Sequence, residues 1–225
     1  MTPVEFQRAR RPEQKEERRV HLLEVTRALL SENSGTPVFG LNELARHAGM
    51  TKSNVYRYFE SREAVLLELL REEGDLWYEA LGAELSALSH PIALEEIAEA
   101  VARTATARPL LGHLTSIMPS IIEHNVSIES VREFKTSSLQ LLQDAARFLH
   151  ERAPYLSISA CEEFIHRTII SITGLWPLSH PSPVTAVVLE APELAAFRYS
   201  FHDELARVLL LLLRGLSQES TNQAG

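Results

Sequence analysis

The 225-residue chain has a single cysteine, Cys161, which excludes an internal disulfide and any zinc site built on several thiolates. Its longest strictly aliphatic run is Val208 to Leu213, far short of the roughly 20 apolar residues that cross a bilayer. The first twelve residues carry arginines but no apolar stretch of the kind an export signal needs. A soluble protein of a reducing cytoplasm is therefore expected. Strand alternation and internal repeats are also missing. What is present is 45% hydrophobic and 23% charged, enough apolar material for an ordinary buried core.

A surplus of positive charge is missing too, since the net charge is −8. The distribution is uneven, however. Residues 1–60 hold 10 Lys and Arg against 8 Asp and Glu, whereas the remainder holds 12 against 22. A mildly basic head thus precedes an acidic body, and it is the head that bears on a nucleic-acid partner.

Leu22, Leu23, Thr26, Leu29 and Leu30 recur at helical spacing and predict a first helix from Glu13 to Ser31, ended by Asn33, Ser34 and Gly35. A short helix is expected from Leu41 to His47, with Gly40 as N-cap and Gly49 as the left-handed residue that stops it. Thr51 caps a second short helix running through Tyr56, Tyr58 and Phe59. Ser61 then caps a long helix from Arg62 to about Leu88, in which Gly74 and Gly82 are points for a bend or break. Further helices are expected at 93–107, 109–124, 127–151, 157–176 and 193–215. The span Pro177 to Pro192 holds four of the 11 prolines and reads as an irregular connection with one short turn of helix at Thr185 to Leu189. The fold class is all-α, divided into an N-terminal arm (1–12), a helix-turn-helix domain (13–60), a helical bundle for ligand binding and dimerisation (61–216) and a disordered tail (217–225).

The stretch from Leu41 to Phe59 has the order helix, tight glycine turn, helix. Leu44 and Ala45 face inward, Ala48 is small enough for close helix approach, Met50 plugs the turn and Val55 packs the second helix on the first. Thr51, Lys52, Ser53, Asn54, Tyr56 and Arg57 are left outside, and they are the donor-rich types that phosphates and base edges require. The alternative is a helical hairpin inside an enzyme, with the aromatics as plain core.

The run Ala45-Arg-His-Ala-Gly-Met-Thr-Lys-Ser-Asn-Val-Tyr-Arg-Tyr-Phe-Glu-Ser-Arg-Glu-Ala-Val-Leu66 resembles the TetR family of transcriptional regulators, specifically over residues 15–70. The resemblance implies that Thr51, Lys52, Tyr56 and Arg62 sit at phosphate-contacting positions, with Ser53, Asn54 and Arg57 near bases. Gly40 departs from the Ser or Thr common at that helix start, and Thr36 is the substitute for that contact. It further implies a homodimer, double-stranded operator DNA and a small-molecule effector as partners, and repression as the mode of action. No enzymatic activity and no cofactor are expected. Arg8, Arg10, Arg11, Arg18 and Arg19 form either an arm on DNA or a solvated charged face.

In the body, Val208 to Leu213 is apolar all round its helix, so Phe201, Leu205, Val208, Leu209 and Leu212 are expected at a subunit contact. Trp77, Tyr78, His113, Met118, Ile122, Phe164, His166 and Trp176 are candidates for the wall of an effector pocket suited to a largely apolar or aromatic molecule. Glu163 and His166 have the Glu-x-x-His spacing of di-iron bundles, but that chemistry needs a second such motif and two more carboxylates, which the sequence lacks. Cys161 and His166 stand five apart and share no helix face, so a structural cysteine is expected. Against the regulator stand two other classes: an all-helical metal or cofactor enzyme, and a helix-turn-helix module for protein partners.

Overall fold

The computed structural model describes residues 12–32 and 39–224 and is all-helical, with no strand among them. The expected arm therefore lies outside the described residues, as does Thr36. The helices are α1 (Pro12–Glu32), α2 (Leu41–His47), α3 (Lys52–Val55), α4 (Arg62–Ala87), α5 (Leu94–Thr106), α6 (Pro109–Ile117), α7 (Ile128–Arg152), α8 (Ile158–Ser179), α9 (Pro183–Val188) and α10 (Phe201–Ala224). Among the described residues no helix is long and apolar enough to cross a membrane. The chain divides into two compact units, one of residues 1–69 with 118–131, the other of 70–117 with 132–225.

In the first unit, Leu22, Leu23, Leu29 and Leu30 of α1 are buried with Leu44, Ala45, Ala48, Val55, Phe59, Val65, Leu66 and Leu69. Thr26 is buried as well, and its hydroxyl donates to the Leu22 carbonyl at 2.7 Å, so no polar group is stranded. The turn between α2 and α3 rests on Gly49, whose φ of +63° is a conformation that side chains with a Cβ resist. Beyond α3 the chain continues through i→i−3 bonds, with Arg57 N–H donating to Asn54 and Tyr58 N–H to Val55. The second helix is thus shorter than the span expected from Thr51 to Phe59, because its last turn tightens. Residues 118–131, expected in the body, belong to this unit instead. There a π turn (Met118–Ile122) and a 3₁₀ turn (Glu123–Asn125) replace the last part of the helix expected at 109–124, and Ile122 is fully buried.

In the second unit α10 packs on α5 and α8, and α6 on α8. Ile97, Ala98, Val101 and Ala105 of α5 meet Leu205, Leu209 and Leu213 of α10 and Ala160, Cys161, Phe164 and Ile172 of α8 in one core. The small residues of α5 allow close helix approach. α4 runs unbroken through Gly74 and Gly82. α8 continues past Trp176 and carries Pro177 inside it, so the irregular connection begins later than expected. α10 extends through the region expected to be a disordered tail. Leu216 is buried there, and the Ser220 hydroxyl accepts from Ser157 N–H at 3.2 Å; these anchors hold a polar sequence helical.

α6 seats on α8 where Gly112 meets the indole of Trp176. A Cβ built on Gly112 would lie 2.1 Å from Trp176 Cε3, which only displacement of the ring or helix relieves. Gly112→Ala is expected to lower unfolding free energy by about 1–3 kcal/mol, measured by urea denaturation. An unchanged midpoint would show that the indole moves without cost.

Candidate nucleic-acid interface and body cleft

The exposed side of the helix-turn-helix is built by local bonds. Thr51 has extended backbone and its hydroxyl accepts from Asn54 N–H at 3.4 Å, capping α3. Val55, fully buried, pins the other side of the same helix. With inward and outward faces so set, Thr51, Lys52, Ser53, Tyr56 and Arg57 are exposed and Asn54 is partly so. Lys52 Nζ lies 5.6 Å from the centre of the Tyr56 ring, one helical turn away, so a cation and a phenol stand side by side. Phe59 is buried and Tyr58 half-buried, packing roles that follow from their side of the helix.

Arg62 is placed differently. Its Nε donates to Glu63 Oε1 at 3.0 Å, and Glu63 is buried. Its charge is partly answered inside the unit before any phosphate approaches. Arg18 is buried, and Arg19 pairs with Glu16 at 3.3 Å and with Glu68. Neither of these two arginines of α1 lies on a solvated face.

Glu60 was not singled out from the sequence. Its carboxylate accepts from Ser127 N–H at 2.8 Å and from the Ser130 hydroxyl at 3.0 Å. A carboxylate at the first N–H groups of α7 answers orphan donors and the positive end of the helix. The Ser127 N–H bond, ahead of a smaller opposing effect of desolvation, holds the Glu60 carboxyl below the usual carboxylate range. The residue that closes the reading motif thereby caps a helix 67 positions away. Spacing rules could not reveal that pairing.

The eight residues expected around an effector are dispersed. Phe164 and Trp176 fill the core of the second unit, and Trp176 stacks on His180 at 3.8 Å and meets Phe201 edge-on at 4.9 Å. His166 is exposed and Trp77, Tyr78 and His113 are partly buried. His113 Nε2 is buried without a hydrogen-bond partner, and burial, followed by the nearby His180, pushes that imidazole's pKa down. Met118 and Ile122 belong to the first unit.

The second unit has a cleft of about 410 Å³ lined by Glu73, Ala80, Thr104, Ala107, Arg108, Pro109 and Leu110, none of them in the expected set. Arg108 Nη1 donates to the buried Glu73 at 3.0 Å, and Trp77 Nε1 donates to the Thr104 hydroxyl at 3.0 Å. The cleft is open to solvent, with Ala80, Ala107 and Pro109 exposed at its rim, and it sets small apolar walls beside the polar atoms of Glu73, Thr104 and Arg108.

Glu163 pairs with Arg167 at 2.6 Å. Among the described residues no three His, Cys, Asp or Glu side chains are grouped to hold an ion. Of the five residues expected at a subunit contact, Phe201, Leu205 and Leu209 are buried in the unit's own core; Val208 and Leu212 retain exposed surface, and Leu211 is 60% exposed.

Residues 22–69 match the family described as bacterial regulatory proteins, tetR family, and residues 71–220 match the tetracyclin repressor-like C-terminal domain. Comparison with curated proteins finds no significant match. Several solved structures share the fold. RolR in complex with resorcinol has a TM-score of 0.59 at 17% identity, covering 93% of this chain and 94% of its own. The fatty acid degradation regulator FadR of Bacillus halodurans scores 0.56 at 15% identity, covering 93% and 98%. A TetR/AcrR-family regulator of Thermobifida fusca scores 0.55 at 20% identity, covering 88% and 98%.

The Glu60 cap makes a testable demand on pH. Because folding lowers this carboxyl's pKa, its stabilising contribution is complete above the ordinary carboxylate range and is lost as pH falls from that range through the lower folded value. Glu60→Ala is expected to be less stable than wild type at neutral pH, with the gap narrowing in acid. Parallel pH profiles of the two unfolding free energies would refute the cap.

Proposed function

Because the chain belongs to the tetR family of bacterial regulatory proteins, a family of DNA-binding transcriptional regulators, we propose that it is a repressor, lifted from operator DNA by a small molecule. The observation that carries the reading is the row of exposed donors on a helix whose cap and buried pin are both in place. Lys52, Tyr56, Thr51 and Arg62 would contact phosphates, with Thr36 a further candidate outside the described residues. Ser53, Asn54 and Arg57 would reach base edges or adjacent backbone. A single α3 reads one half-site, so operator recognition calls for two copies whose reading helices meet successive major grooves about 34–36 Å apart. The copies would join through the outward sides of α8 and α10, where Val208, Leu211 and Leu212 keep apolar surface.

The effector would enter the cleft around Glu73, Thr104 and Arg108, beside Trp77. Its polar atoms favour a small ring or chain that carries a hydrogen-bonding group, a more polar class than the one expected from aromatic residues alone. The resorcinol held by RolR, a ring with two hydroxyls, is of that class. Binding lifts repression only if the effector prefers a state in which the two heads no longer match the operator, and linkage then requires operator to weaken the effector equally.

Selection of bound fragments from genomic DNA gives the operator, and two variants then test the interface. Lys52→Ala should weaken all sequences alike and flatten the log-log salt dependence by about 0.9 for each phosphate no longer neutralised. Asn54→Ala should relax one base position, at about 1–3 kcal/mol. Unchanged affinity and salt slope in Lys52→Ala would refute the assignment. For any compound that releases the operator, affinity should fall by one and the same factor when operator is saturating, and Thr104→Leu should abolish the response while sparing DNA binding. Equal effector affinities with and without operator would exclude release by this route.

A further inference from the structure

α3 has only four residues, Lys52–Val55, and a helix that short keeps no direction of its own in water. The Thr51 cap and the left-handed Gly49 decide which side chains face out, but they do not decide where the helix points. Val55, fully buried, fixes one point. A rod held at one point still swings, so a second fixed point is needed on the entering side, in the turn at 48–50. That turn closes α2 with two bonds, Met50 N–H donating to the Ala45 carbonyl at 2.9 Å and Gly49 N–H to the Arg46 carbonyl at 3.3 Å, the pairing of a helix that ends on a left-handed residue. Neither bond answers the Ala48 carbonyl, one residue beyond α2. His21 of α1 does: its Nε2 lies 3.2 Å from that oxygen, across 27 positions of the chain.

The bond dictates the state of the ring. A carbonyl only accepts, so Nε2 carries the proton. The ring is firmly mounted, since Leu22 and Leu23 beside it are buried and Arg19, two residues earlier, pairs with Glu68 of α4. A histidine also suits the task better than a lysine or arginine, because a stiff, half-buried ring holds its donor in place where a long cation loses more rotamer freedom. Base edges are read by bonds whose atoms have to be placed within about 0.5 Å, and a reading surface keeps that precision when a layer of hydrogen bonds behind it locks its support. Phosphate attraction falls off slowly with distance and is more forgiving. We propose that His21 is a positioning residue for sequence reading: its Nε2–H bond to Ala48 aims α3, and thereby Ser53, Asn54 and Arg57, without itself touching DNA. The proposal rests on the DNA-reading role of α3 given above.

Affinity for the operator and affinity for unrelated DNA of the same length separate positioning from general damage. His21→Leu removes the donor; its operator dissociation constant should rise by about tenfold, while binding to unrelated DNA and the log-log salt slope stay as in wild type. His21→Gln, whose amide nitrogen can donate in place of Nε2, should restore most of the operator affinity. Thr26→Val deletes a different bond of the same helix, from the Thr26 hydroxyl to the Leu22 carbonyl at 2.7 Å. It should lower the unfolding midpoint yet leave the preference for operator unchanged. All variants are compared at a temperature where circular dichroism reports folded protein. The wild type gives an independent reading even if His21→Leu does not fold: imidazole nitrogen-15 shifts should show the Nε2–H tautomer, with a scalar coupling from Nε2 to the Ala48 carbonyl carbon. An Nδ1–H tautomer overturns the proposal. So does an undiminished preference for operator in His21→Leu, or a loss that Thr26→Val reproduces. A flattened salt slope that His21→Gln fails to rescue makes His21 a phosphate contact and overturns positioning as well. A chain that selects no operator at all refutes the reading of α3, and the proposal with it.

Discussion

The second unit depends on one line of contact, the burial of Leu205, Leu209 and Leu213 of α10 between α5 and α8. These positions repeat every fourth residue and use up one side of a helix that is apolar all the way round from Val208 to Leu213. One chain can cover only that side. The remainder, Val208 and Leu211, stays in contact with water, so the interaction that makes the core also fixes which surface is left over. The small residues of α5 are the other half of the same constraint, since bulkier side chains at Ala98 or Ala105 would hold α10 away.

The first unit follows a different principle. Its reading surface is set by bonds that span three or four residues: the Thr51 cap, the left-handed Gly49, the i→i−3 turn after α3 and the buried Val55. Nothing in that surface depends on the body's core. Glu60 is the exception, because it commits the end of the motif to the start of α7.

This contrast explains what could be read from the amino-acid sequence. Thr51 as cap, Gly49 as turn residue and Val55 as packing residue were legible because each is a local rule written in one side chain. The all-α class and the existence of nearly every helix were legible from periodicity, but boundaries were less so: the helix expected at 109–124 ends at Ile117, and the one expected at 193–215 runs from Phe201 to Ala224. The cleft was not, because it joins Glu73 to Arg108 and Trp77 to Thr104 across different helices. Aromatic character suggested Phe164 and Trp176 for such a wall, but their size made them core. On α10, periodicity identified a buried helix without saying which of its leucines face inward; three of five expected at a partner were consumed by the chain itself. Pro177 inside α8 and the helical course of α10 to Ala224 show propensity yielding to context. A proline is tolerated near the end of a long helix, and a polar tail stays helical when Leu216 and Ser220 fasten it.

Cys161 sits in the middle of the α5, α8 and α10 core, its thiol reluctant to ionise. In the native state a thiol reagent therefore finds nothing to attack, and modification must wait for the helices to part. When the reagent is fast, each alkylated molecule counts one opening event, and the chain carries its own clock for how often its core comes undone.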